Sequence, residues 1–346
     1  MCLYKYEDDY IKDTGGRKFD VIKFVLAIMI LLLHSNSLPH FFLPIMRMAV
    51  PLFFIMTSYF FFLKYIKCIL PEEKKCRLIK FLKRNFFLYI FYCIILLPIT
   101  IKVRPEWFDG GILYTITQML KSFLFTGFFK ASWFILASIY SILIVSFFSK
   151  YLNNKWMLIG SILFYILACL DSNYAAIVGK DVIDSFNHDY FRLCNSFFSA
   201  LVWVIIGKIL AEQPIRIKTK WMIVSVIIPF TMLYFEHFLI RKFSLYGETD
   251  CYLSLLVCVP IIFIMIGQSN FIKGKDSVFC RKASVIIYCT HVAVLHVVRI
   301  LLCGQNVCSC YPVEVILLSL LGCLVISLVL IRLSKLKLFN ILKYSY

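Results

Sequence analysis

Apolar runs of about twenty residues recur along this chain, separated by short connections in which lysine and arginine gather. An α-helix needs roughly that many mostly apolar residues to cross a hydrocarbon core. The ruler places spans at 20–38, 45–66, 84–101, 132–149, 156–170, 191–211, 220–240, 251–268, 283–302 and 313–332, ten in all, the fifth being the shortest. Residues 112–128, broken by Gln118 and Lys121, read as an interfacial segment. With 61% hydrophobic residues in 346, the chain carries more apolar surface than a soluble domain of this length buries. The first apolar run follows charges of both signs and ends in NSLPHFF without a small-x-small cleavage site, so it is expected to be a retained helix.

Direction follows from where the cations fall, because cytoplasmic loops are enriched in Lys and Arg. With the N-terminus inside, the inner connections hold 25 Lys and Arg against 10 in the outer ones. The expected architecture is an all-α integral membrane bundle of about ten transmembrane helices with both termini cytoplasmic. It divides into a cytoplasmic segment 1–19, a membrane domain 20–333 and a cytoplasmic tail 334–346. The formal charge of +18 is spread in short clusters between apolar runs, which excludes nucleic acid as a partner and leaves membrane lipids. Most of the fourteen cysteines stand singly in apolar runs as small hydrophobes. Cys303, Cys308 and Cys310 share one loop and invite a disulfide in an oxidising outer space. A zinc site there lacks a fourth ligand, and no metal is expected.

The first span, RKFDVIKFVLAIMILLLHSNSLPHFF from Arg17, is the unusual one. An ionisable residue inside a span is costly and marks a functional site by default. On a helix Lys23 and His34 are about 16 Å apart along the axis and within about 20° of one face, and Asp20 falls within about 40° of His34. One reading makes Arg17, Lys18 and Lys23 interfacial anchors and His34 a residue bonded to a neighbouring helix. The other has the inner cation meet a phosphorylated cytoplasmic ligand while a neutral imidazole further out acts as a general base.

Arg17-x-x-Asp20-x-x-Lys23 followed by His34 resembles the first-helix signature of the acyltransferase family 3 membrane proteins: Arg or Lys, ten residues, then His. Val50-Pro51-Leu52-Phe53-Phe54-Ile55-Met56-Thr57-Ser58-Tyr59 resembles that family's V-P-x-F-F-x-x-S-G-Y, with Ser58 where Gly is usual. Ser132-Trp133-Phe134-Ile135-Leu136 resembles its W-F/Y-L element, and Ser284 through Tyr288 to His291 its G-x-Y-x-x-H. The family's R-x-x-R element has no exact copy in KKCRLIKFLKRNFF, where Arg77/Lys80 or Lys80/Lys83 supply paired cations.

The resemblance implies an O-acyltransferase that moves an acyl group, commonly acetyl, from cytoplasmic acyl-CoA to a hydroxyl of a surface or lipid-linked glycan, without a bound cofactor. It also implies a multi-pass protein of a bacterial inner membrane. His34 is then the catalytic residue, either a base toward the acceptor hydroxyl or a nucleophile carrying the acyl group. Lys23, Arg77, Lys80, Lys83 and Arg84 would hold the CoA phosphates and pantetheine. Asp20 would pair with Arg17 or Lys23, and Trp133, Tyr288 and His291 would support substrate binding. His296 points about 140° from His291 on the helical count and cannot share its pocket. Glu236-His237 reads as a charged helix end or an acceptor contact, and Asp171, Asp181, Asp184, His188 and Asp189 as a solvated acidic loop or a contact to a sugar or a cation. The competing class is a polytopic transporter or flippase for lipid-linked sugars, which would use the same charges without acyl-CoA.

Overall fold

The computed structural model describes residues 14–36, 38–245, 250–269, 277–304, 312–336, 342 and 346. Their regular structure is all helical, with no strand among the described residues, and they fall into two compact units. The first comprises residues up to 49, 216–218 and 262–346; the second comprises 50–215 and 219–261.

In the first unit, α1 (Thr14–His34) is followed by the short α2 (Leu43–Met46). Later in the chain come α14 (Ser277–Cys303) and α15 (Pro312–Leu333). The packing of α1 on α14 is fixed at two levels, with the ring centroids of Phe24 and Phe279 6.3 Å apart and those of His34 and His291 5.1 Å apart. Both pairs advance along the chain together, so α1 and α14 run parallel. The fully buried Ala27 stands between these levels, and a small side chain there lets two helices approach. α15 runs antiparallel to α14: Thr290 meets Cys323, while Leu295, Val298 and Val315 form one apolar cluster. At the base, Lys18 donates to the carbonyls of Gly267, in the last turn of the helix Leu255–Gln268, and of Ser269 just past it. A cation favours such a helix C-terminus.

The second unit holds α3 (Ala49–Tyr65), α4 (Pro71–Ile95), α5 (Leu97–Val103), α6 (Ile112–Lys121), α7 (Trp133–Phe148), α8 (Asn154–Leu170), α9 (Ala175–Val178), α10 (Lys180–Asp189), α11 (Phe197–Glu212), α12 (Met222–Lys242) and the start of α13 (Leu255–Gln268). Its centre is α11, buried nearly all round and packed on α7 and α8. Trp203 meets Tyr165 edge-on at 5.2 Å. Lys208, almost buried in α11, is neutralised by Glu212 at 2.7 Å and donates to Asn154 Oδ1 at 2.6 Å, since a buried charge needs such partners. Phe53, Phe54, Phe61 and Phe62 are buried, which makes the phenylalanine run of α3 a packing surface.

A helix stands at each of the ten expected span positions. Among the described residues four stretches suffice, by length and composition, to cross a membrane: His40–Tyr65, Thr219–Lys242, Ser277–Cys303 and Pro312–Leu333. α4 with α5 makes a fifth if the pair, bent by 71°, is one span. The bend falls at Leu96, just before Pro98, whose ring cannot continue the hydrogen-bond ladder of α4. α1 falls outside that set because Arg17, Lys18, Asp20 and Lys23 crowd its first turns, and α7, α8 and α13 because they are short. α4 also begins well before the expected residue 84, at Pro71, where the Glu73 carboxylate accepts from the N–H groups of Ile69 and Leu70. The stretch expected as interfacial is α6 running into a π-helical turn, with Ile112, Leu113, Ile116 and Leu120 exposed along it.

Ser58, the departure from the family pattern, is fully buried and bonds the Ile55 carbonyl at 3.1 Å. Gly207 of α11 faces it, and a Cβ added there would lie 1.9 Å from Ser58 Oγ. The Gly207→Ala variant is expected to lose about 1–3 kcal/mol through overpacking. Adding Ser58→Gly should recover a large part of that loss in thermal unfolding of the detergent-solubilised protein, and no coupling between the two sites would refute the close approach.

Candidate functional site

α1 is one unbroken helix from Thr14 to His34, so the stripe inferred from the sequence exists as geometry. Asp20, Ala27 and Leu31 lie along it and are buried, Lys23 is partly buried, and His34 closes it as the exposed last residue. Helix termination follows from local chemistry. The backbone of Asn36 is left-handed at φ 53°, a stop that Asn tolerates, and Pro39 follows. The orphan carbonyls left behind find a donor on α14: Arg299 donates to Ser35 O at 2.7 Å and His34 O at 3.3 Å. That contact ties the backbone beneath His34 to the neighbouring helix.

Opposite stands His291, with no exposed surface. Its Nδ1 lies 2.7 Å from Tyr288 O and 3.3 Å from Ile287 O. Carbonyl oxygens only accept, so Nδ1 carries a proton and Nε2 of the neutral ring is a bare lone pair. Nε2 is buried without a hydrogen-bond partner among the described residues. The two imidazoles face each other at 5.1 Å with 37° between their planes, and Tyr288 lies 5.9 Å from His291, ring to ring. Two imidazoles, one exposed and one buried with a bare nitrogen, form a pair suited to moving or holding a proton.

The other residues singled out from the sequence lie as follows. Arg17 is exposed and Asp20 buried at the base of α1. Arg77, Lys80, Lys83 and Arg84 are on the N-terminal half of α4, all exposed except the partly buried Arg77. Because α4 is continuous there, Arg77, Lys80 and Arg84 share a face about 60° wide, and Lys83 turns away from it. Trp133 opens α7 and packs on Phe54 of α3, with centroids 6.0 Å apart. The preceding Gly127 is required: its φ is 90°, and a Cβ would meet Trp133 N at 2.4 Å. The structure thus unites His34, Tyr288 and His291 in the first unit, whereas the α4 cations and Trp133 belong to the second.

Two alternatives from the sequence are corrected. Glu236 is no acceptor contact, because its carboxylate takes hydrogen bonds from Tyr174 Oη at 2.5 Å and from Leu253 N and Ser254 N, both at 2.7 Å, just before the first turn of α13. Burial, and then that carboxylate, push the Tyr174 phenol up from its ordinary range. Asp171 is not solvated: it is buried and accepts from Asn187 Nδ2 at 2.7 Å and Cys194 N at 2.9 Å, so it pins the outer loop. Cys308 and Cys310 lie outside the described residues, and so does any pairing with Cys303. Arg299 is the site residue that sequence reasoning missed as such. The available signal was a cation eight residues after His291, at the far end of an apolar helix.

The family model of the acyltransferase domain, acyltransferase family 3, matches residues 17–332, from Arg17 of α1 to Arg332 of α15. The chain belongs to that family. An amino-acid racemase of Enterococcus faecalis aligns over 297 residues at 22% identity, covering 81% of this chain and 41% of the racemase. The chain therefore spans about two fifths of the length of that curated relative. No solved structure matches.

Replacing Arg299 by Leu removes the donor beneath His34. About 1–2 kcal/mol of local stability at the end of α1 should be lost, with faster amide exchange over residues 32–36 and partial recovery in Arg299→Lys. Unchanged exchange would refute the tie.

Proposed function

We propose that this acyltransferase moves an acetyl group from cytoplasmic acetyl-CoA to a hydroxyl of a surface or lipid-linked glycan, in a bacterial inner membrane that its ten helices cross with both termini inside. The observation that carries the reading is the His34–His291 pair at the end of α1, in a chain whose family is acyltransferase. The parallel run of α1 and α14 supports the topology, because the first and ninth of ten alternating spans point the same way.

In this reading His34 takes the proton of the acceptor hydroxyl as its oxygen attacks the thioester carbon. The new O–C bond forms, the C–S bond breaks, and the proton passes to the departing thiolate to give CoA. No group of the protein is consumed, so none needs regeneration. The donor phosphates are assigned to the exposed cations Lys80 and Arg84 with Arg77, since Arg binds phosphate bidentately and Lys as a point charge. Lys83 takes a lesser part because it leaves their face. Arg17 and Lys23 are the cations assigned to the donor on α1, with Asp20 holding their side chains. Trp133 and Tyr288 are assigned to substrate contact.

The His34→Ala variant should abolish label transfer from radiolabelled acetyl-CoA to membrane glycans while the protein still accumulates in the membrane. Purified protein should bind labelled acetyl-CoA. Normal acetylation by His34→Ala, or no acetyl-CoA binding by the parent, would overturn the proposal, and the second outcome would favour a flippase.

A further inference from the structure

Acyl transfer requires the acceptor hydroxyl at the reacting groups and leaves open what holds the rest of the acceptor. On the helix that carries His291, α14 and its neighbour α15 enclose a groove of about 420 Å³, lined by Val298, Leu301, Leu318, Leu321, Gly322 and Val325 among others. Every lining side chain is apolar. Val298 is buried at the floor, while Leu301, Leu318, Leu321 and Val325 stand exposed as walls. Two observations set the level of the groove. Thr290, next to His291, meets Cys323, which lies between the lining residues Leu318 and Ile326 of α15. Val298 follows His291 by seven residues, so it lies within about 20° of the same stripe, two turns nearer the end of α14. The groove itself depends on Gly322. A Cβ there would meet Val294 Cγ1 at 3.1 Å, the one such neighbour within 4 Å among the described residues, and would otherwise project into open space.

Size and sequence select the occupant. From Leu318 to Ile326 the groove runs about 12 Å along α15, and a helix of that length, about 10 Å across, needs roughly twice its volume. Membrane helices that pair through a glycine also use a second small residue four positions away, whereas Leu318 and Ile326 occupy those positions here. Both observations argue against a second copy of the chain. A single hydrocarbon tail is thinner than any helix, and α14 and α15 are each long and apolar enough to cross a membrane. We propose that this groove is the subsite for the hydrocarbon tail of a lipid-linked acceptor. The proposal rests on the acyl transfer put forward above and decides between its two acceptors, the lipid-linked and the free surface glycan. In that topology α14 runs outward, so the groove lies in the outer half of the membrane. A lipid with its head at the outer ends of α14 and α15 and its tail along the groove keeps its sugar beside the end of α1. Bulk lipid is as apolar as the groove, so the gain comes from packing and from confining the acceptor, not from transfer out of water.

Two substitutions fill the groove from different sides: Gly322→Leu at its floor, and Leu321→Trp at an exposed wall where folding is little disturbed. The protein in lipid nanodiscs is given labelled acetyl-CoA and one of two acceptors, the lipid-linked glycan fraction extracted from the producing cells or the same glycan released from its lipid by mild acid. The parent should prefer the lipid-linked acceptor by about tenfold or more in kcat/KM. Both variants should lose about tenfold on that acceptor through its KM, with the released glycan and the KM for acetyl-CoA within about twofold of the parent. Equal use of the two acceptors by the parent, or an equal loss on both acceptors in both variants, would overturn the proposal. Photolabelling gives a readout that needs no turnover. A polyprenyl phosphate carrying a diazirine on its tail should label Leu301 and Leu318 in the parent, and the label should fall in Gly322→Leu and on adding the lipid-linked fraction. A diazirine phospholipid that labels the same residues equally well would mean bulk lipid only and would also overturn it. A parent that acetylates neither acceptor would instead defeat the proposed function, and the photolabelling would still decide what the groove holds.

Discussion

The parallel packing of α1 on α14 is the constraint on which the rest depends. An apolar seam brings one exposed and one buried imidazole to 5.1 Å, and a guanidinium from α14 closes the end of α1. Neither helix could hold the pair alone. His34 gets its place from helix termination at Asn36, and His291 gets its tautomer from its own preceding turn. Along α14, Ser284 donates to the Arg281 carbonyl and Thr290 to the Ile286 carbonyl, as a low-dielectric interior requires.

The second unit shows the same economy of polar groups in other hands. Lys208, Glu236 and Asp171 are ionisable residues on or beside apolar helices, and each is spent on structure: an ion pair within α11 that also bonds Asn154 of α8, the start of α13, the pinning of the outer loop. What distinguishes the His34–His291 pair is that Nε2 of His291 is buried without a hydrogen-bond partner among the described residues. An ionisable group in an apolar environment is thus a functional candidate when its hydrogen bonds do not close.

Helix positions were legible because a membrane helix must satisfy its own backbone and needs a continuous apolar run to do so. Each expected span is met by a helix, and the 3.6-residue period alone put Asp20, Lys23 and His34 on one stripe. What escaped is what depends on three-dimensional neighbours. The meeting of His34 with His291, residues 257 apart in sequence, followed only from a motif resemblance, and the cap by Arg299 had no local signature. Glu236 and Asp171 looked solvent-facing because their donors, backbone N–H groups of Leu253, Ser254 and Cys194 and the side chains of Tyr174 and Asn187, come from other segments of the chain. The bend at Leu96 was foreshadowed by Pro98, whereas the outward extension of α4 to Pro71 was hidden by its charge. Ser58 in place of glycine made sense only once Gly207 stood opposite, because the space belongs to the pair of helices.

The central claim is that this chain acylates a glycan, and mass spectrometry of surface and lipid-linked glycans from cells with and without the protein tests it most directly. The account predicts a species heavier by one acetyl group per modified sugar that is present only with the protein. Identical glycan masses in the two cell populations would contradict it.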